Sequence, residues 1–115
     1  MPDGFSTTTS DLVLARDGVA CWACGMRSTE RHHRRRRQVD HDGLAHSAAN
    51  CLRFCGWGNH TGCHGLVHSR PTWAETKGYI VIPDASPLEV PVWHYSRGWV
   101  LLDITGGWTA TTNGD

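Results

Sequence analysis

Glu30-Arg31-His32-His33-Arg34-Arg35-Arg36-Arg37 opens the stretch that decides the fold, Ala48-Ala49-Asn50-Cys51-Leu52 lies at its middle, and Cys63-His64-Gly65-Leu66-Val67-His68 closes it. On an extended strand successive side chains point to opposite faces, so His32 and His33 must serve two different surroundings. Residues four apart on a helix are neighbours, so His64 and His68 share one face. Everything outside residues 30–68 reads as support for that stretch.

The nearest support is cysteine. Cys21-Trp22-Ala23-Cys24-Gly25 is a metal-knuckle sequence: two thiolates three residues apart can grip one ion, and the following Gly permits a tight turn. Cys55 and Cys63 supply the other pair, although residues 56–62 separate them. His60 falls inside that loop and Cys51 on the run leading into it, so either is an alternative ligand. The favoured set is Cys21, Cys24, Cys55 and Cys63 around a tetrahedral structural zinc, with Cys51 buried and free. A redox dithiol is the rival reading of Cys21 and Cys24, but the chain lacks the strand-helix alternation expected around such a motif.

Five cysteines, an odd number, fit metal binding in a reducing compartment better than a disulfide framework, and the expected location is cytoplasmic. No apolar run follows a basic start, and no stretch approaches the length needed to span a bilayer, so no membrane partner is expected. At 115 residues the chain should form one domain, near the size at which a metal staple helps. Its formal charge is zero, yet residues 27–37 carry six Arg against one Glu, and residues 78–115 carry one Arg against four acids. The basic charge is local, as a phosphate-facing surface requires.

Further out, residues 1–9 lack apolar periodicity and read as a disordered, mobile lead. Ser10 is the expected cap of a short helix that Gly18 ends. Residues 27–38 should be a strand carrying the His pair and continuing through Val39, followed by the polar turn Asp40-His41-Asp42-Gly43, with His41 and His46 as exposed loop histidines. A helical turn over residues 44–49 precedes a short strand over 52–55. A helix should start at Gly62, and another should run over 72–77 behind Pro71, with Gly78 as its stop. Residues 79–82, 90–93 and 99–102 read as strands, and Thr105-Gly106-Gly107-Trp108 as the turn of a final hairpin. The fold class is α+β: a core over 10–82, and a C-terminal β-hairpin extension of the same domain over 83–115.

Phosphodiester hydrolysis needs an activated water, a cation on the phosphoryl oxygens and groups that hold the backbone in line. One histidine of the 32/33 pair can ligate metal while its neighbour takes a proton, and His64 with His68 completes a nitrogen-rich ligand set. Such ligands suit Zn, Ni, Co or Mn better than Mg. Arg34, Arg35, Arg36 and Arg37 are candidates to clamp neighbouring phosphates, in which case binding would be salt-sensitive and largely sequence-independent.

In this order, Cys21-Trp-Ala-Cys24-Gly, His32-His33-Arg34, Ala49-Asn50-Cys51-Leu52 and Gly62-Cys63-His64-Gly-Leu-Val-His68, followed by Pro71, Ala74 and Gly78, resemble the HNH endonuclease (His-Me finger) family. The likeness is to its small phage-type members with structural cysteines, and it covers roughly residues 12–82. The resemblance implies a ββα-metal core in which His33 is the general base, His32, His64 and His68 hold a catalytic divalent cation (Mg²⁺, Mn²⁺, Ni²⁺ or Zn²⁺), and Asn50 fixes the loop that orients His33. The His-His start followed by His-x3-His is similar to the nuclease colicins; many other members have an acid in place of His32. It further implies DNA as partner, 5′-phosphate and 3′-hydroxyl products, a monomer or homodimer, and by likeness alone a host-cytoplasmic phage protein near the packaging machinery.

Each piece has a plainer reading. A His pair among arginines is often a solvated basic patch, a lone Asn is usually a turn or cap residue, and His-x3-His is often one helix face. The six Trp residues read as packing residues, with Trp57 set apart by its loop between Cys55 and Cys63. His94 has no partner visible in the sequence and reads as locally structural. Two other functional classes stay open: a zinc-knuckle module that binds nucleic acid without cutting it, and a zinc-stabilised protein-interaction module.

Overall fold

The computed structural model describes residues 3–58 and 60–113. Helix α1 spans Thr7–Asp17, and its cap is Ser6, whose hydroxyl accepts from the Thr9 N–H at 3.1 Å. The helix therefore starts about one turn before the expected cap at Ser10. Every residue from Ser6 to Ser10 is Ser or Thr, so the sequence offers several caps, and burial selects among them. Phe5, assigned to the mobile lead, is fully buried with Val13, Ala48 and Cys51 in a small cluster under α1. Gly18 ends the helix as expected, returning its N–H to the Leu14 carbonyl.

Strands β1 (Glu30–His33) and β2 (Cys51–Phe54) pair antiparallel, with His32 opposite Leu52 and His33 opposite Cys51. β1 is much shorter than the strand expected over residues 27–38. It stops because the 3₁₀ turn Ala48–Asn50 takes over its hydrogen bonding. The Asn50 carbonyl accepts the Arg34 N–H, and its side-chain amide holds both polar groups of the Arg35 backbone. Such an amide offers a donor and an acceptor in one plane, much as a neighbouring strand would.

Arg34 and Arg35, expected on a phosphate-facing surface, are instead buried. The Arg34 guanidinium donates to the carbonyls of Ala49, Gly78, Pro87 and Val90 at 2.8–3.0 Å. Burial lowers its pKa to about 9, so it stays protonated at neutral pH. Arg35 forms a two-pronged pair with Asp42, at 2.9 and 2.6 Å, and also donates to the Ala85 carbonyl. A charge can be buried when it is paired or its donors find acceptors. Arg34 meets this with carbonyls and Arg35 with Asp42 and carbonyls through both Nη groups, its Nε alone having no partner among the described residues, and the two serve as internal fasteners.

Helix α2 (Gly62–Ser69) follows β2, and α3 (Pro71–Thr76) follows with Pro71 in its first turn, as expected. Residues 79–82 do not form the expected strand. The Val81 N–H goes to the Arg34 carbonyl and the Tyr79 N–H to that of Ala74, leaving the Tyr79 carbonyl to accept from His32. Strands β3 (Val92–His94), β4 (Gly98–Leu102) and β5 (Trp108–Ala110) form an antiparallel sheet in that order. His94 is buried beneath its turn: Nδ1 accepts from the N–H groups of Ser96 and Arg97, and the ring lies edge-on to Trp22.

Trp22, Leu52, Phe54, Val67, Tyr79, Val92, Val100 and Leu102 form one core, so residues 83–113 share it with the rest of the chain. The result is a mixed α/β fold of small sheets and short helices. No helix among the described residues is long and apolar enough to cross a membrane.

Candidate metal centres and histidine cavity

Cys21, Cys24, Cys55 and Cys63 place their sulfur atoms within 4.8 Å of one another, and the four could hold a structural metal ion. Two turns build the site. In the first, the Cys21 N–H bonds to the Met26 carbonyl and the Gly25 N–H to the Cys21 carbonyl, folding both thiols inward. In the second, the His64 N–H bonds to the Cys55 carbonyl, and the Cys63 N–H points at the Cys55 sulfur at 3.4 Å. Gly56 makes this closure possible: its φ is +120°, and a Cβ there would stand 1.9 Å from the Thr61 carbonyl oxygen.

The two alternative ligands lie elsewhere. His60 is exposed and outside the cluster, and Cys51 is buried beside Phe5, where burial pushes its thiol up to about 12. Cys51 is a neutral core residue.

Directly after Cys63 on α2 stands His64, and with it begins a second cluster. His32, His64 and His68 bring one nitrogen each within 4.8 Å of the others. Two of the rings have their orientation fixed from behind. His32 Nε2 donates to the Tyr79 carbonyl at 2.7 Å, which turns Nδ1 toward His64 Nε2 at 3.2 Å. His64 Nδ1 donates to the Glu30 carboxylate at 2.9 Å, leaving Nε2 between the other two rings, 3.2 Å from His68 Nε2. Carbonyl and carboxylate acceptors behind imidazoles set the tautomer and ring plane that metal ligation needs. Burial lowers the His32 pKa to about 3, with its histidine neighbours adding to the effect, and it lowers that of His68 too. The shifts of His32 and His68 favour the neutral imidazole, the form that binds metal.

Glu30 escaped the sequence reading, although its signal was present: a carboxylate two residues before His32 on a strand lies on the same face. Its other oxygen accepts from the Gly58 N–H, so Glu30 ties the loop after β2 to the histidine cluster. Trp57, next to Gly58, is 70% exposed.

His33 faces away from His32 as the strand period dictates, and both line one cavity of about 400 Å³ with Arg31, Arg36, Arg37, Gln38, His64 and His68. Of the four arginines expected to meet phosphate, Arg36 and Arg37 are thus exposed at the cavity, whereas Arg34 and Arg35 are internal. Burial, followed by the neighbouring His46, lowers the His33 pKa to about 4, so the ring carries a lone pair at neutral pH. His46, expected as an exposed loop residue, is partly buried, with Nδ1 3.2 Å from His33 Nε2. His41 is exposed as expected.

Asn50 touches none of this directly. It is fully buried and secures the loop between the strands, bonding Arg35 through both amide ends and the Ala45 carbonyl at 2.9 Å. Asn50→Ala should destabilise the domain by about 2–4 kcal/mol in urea unfolding, because an unsatisfied buried polar group costs roughly 1–3 kcal/mol. A loss below 1 kcal/mol would mean that the loop is held by other contacts.

No protein-family model, curated protein or solved structure matches this chain.

Proposed function

We propose that the chain is a metal-dependent DNA endonuclease of the HNH type, stapled by zinc. The observation that carries this reading is the convergence on one cavity of three histidine nitrogens, a separate neutral histidine and two exposed arginines. The antiparallel pair β1–β2 followed by α2 supports the ββα-metal assignment, since these are the elements from which the resembling family takes its ligands.

Zinc is the ion favoured for the thiolate cluster. Zn–S bonds of about 2.3 Å place tetrahedral sulfurs about 3.8 Å apart, and the Cys24 and Cys55 sulfurs are 3.8 Å apart. A divalent cation on His32, His64 and His68 would supply charge stabilisation to the phosphoryl and leaving oxygens. His33 takes a proton from the attacking water, whose oxygen bonds to phosphorus as the P–O3′ bond breaks. The 3′-oxygen leaves as an alkoxide that takes a proton from solvent water to become the hydroxyl, His33 returns its proton to solvent, and the phosphate stays on the 5′ side. Arg36 and Arg37 hold flanking phosphates, which positions the strand without reading its sequence.

The test is nicking of supercoiled plasmid by protein treated with EDTA and then supplied with Mg²⁺, Mn²⁺, Ni²⁺ or Zn²⁺, with the structural metal content checked. Metal-dependent conversion to the open circle is expected. Binding without cutting under every metal would replace the nuclease with a nucleic-acid-binding module. In the same assay, Arg36→Ala/Arg37→Ala should weaken DNA binding and flatten its log–log salt slope by about 1–2, since each phosphate contact contributes about 0.9. An unchanged salt slope would move the phosphate contacts elsewhere.

A further inference from the structure

We infer that His46 is a positioning residue for His33: its Nδ1 accepts the Nε2–H of His33 and leaves the His33 Nδ1 lone pair for the attacking water. The inference rests on the nuclease reading and supplies the missing link between Asn50 and the base. The two ring nitrogens are 3.2 Å apart. A neutral imidazole donates at one nitrogen and accepts at the other, so the partner at Nε2 decides whether Nδ1 is a base or a donor. If the shared proton sat on His46 instead, His33 would present an N–H at Nδ1 and could take nothing from water.

His46 is built to keep this contact. Phe5 stacks on His33 with centroids 4.1 Å apart and planes 16° apart, and meets the His46 ring edge-on at 5.8 Å. One apolar ring thereby limits the swing of both imidazoles. Gly4 lies so close to the other side that a Cβ there would stand 2.5 Å from the His46 ring. The backbone is held as well: the Thr9 hydroxyl donates to the His46 carbonyl at 3.0 Å, and Asn50 grips the preceding carbonyl of Ala45. The path from Asn50 to His33 runs through Ala45 and His46, and α1 contributes to it through Thr9. Neither Phe5 nor Thr9 belongs to the stretch from which the family resemblance was read.

The effect should be on turnover and not on capture of DNA. His46→Ala is expected to lower kcat about 10- to 100-fold, the range seen when a partner orienting a site imidazole is removed, with KM for DNA within about twofold and metal content unchanged. His46→Gln, whose side-chain oxygen can accept the same proton, should recover most of that loss, as a purely steric role would not predict. Ring ¹⁵N chemical shifts of the metal-loaded protein should show His33 with its proton on Nε2, moving to mixed tautomers in His46→Ala. A wild-type His33 carrying its proton on Nδ1, or a His46→Ala variant that cuts like the wild type, overturns the inference while leaving the nuclease reading standing. A wild type that cuts no DNA with any metal overturns both.

Discussion

Cys63→Ser is expected to release the structural metal and leave the chain without a stable fold at 25 °C. Small domains have about 5–15 kcal/mol of stability in total, while structural zinc in small sites contributes roughly 10–16 kcal/mol at neutral pH. The loss falls on the sulfur, which belongs to the four-cysteine cluster; the backbone N–H that points at the Cys55 sulfur is kept by serine. The serine variant should therefore lose metal by mass spectrometry of the native protein and show a collapsed near-UV dichroism signal. Full metal occupancy with an unchanged melting temperature would remove Cys63 from the ligand set.

His33→Ala is expected to cut at least about 100-fold more slowly than the wild type, since a positioned general base contributes roughly 10²–10⁴-fold. The same variant should keep its thiolate-bound metal and its DNA affinity, because His33 belongs to neither the cysteine cluster nor the three-histidine cluster. Some stability will be lost with the ring, which stacks on Phe5, so the melting temperature must be followed alongside the rate. A decrease below about tenfold in a folded, metal-loaded variant would place the base elsewhere in the cavity.

What could be read in advance was chemistry that repeats over short distances. Thiolates three apart, imidazoles four apart on a helix and imidazoles adjacent on a strand each limit where the side chains can go, and those groups converge in the fold. The misreadings have a common cause. Arg34 and Arg35 look like surface charge because most of the acceptors that bury them are carbonyls distant in sequence, among them Gly78, Ala85, Pro87 and Val90. His46 reads as an exposed loop residue because its partner, His33, lies on a strand 13 residues earlier. Residues 79–82 have the composition of a strand, yet their hydrogen bonds are taken by Ala74, Arg34 and His32, so tertiary contacts override β propensity. Phe5 gives no sign of its burial in the sequence, because one aromatic in a polar run carries no period.

The four carbonyls around the Arg34 guanidinium bear on where the domain can be divided. Two of them, from Pro87 and Val90, come from beyond the last residue of the stretch that the nuclease resemblance covers. Cutting the gene after residue 82 would not isolate a minimal catalytic unit. It would strip half the acceptors from a cation in the interior and uncover the core faces that Val92, Val100 and Leu102 now fill. For fusion or domain-grafting work the smallest portable piece extends at least through β4, and the C-terminal sheet is part of the foundation on which β1 presents its histidines.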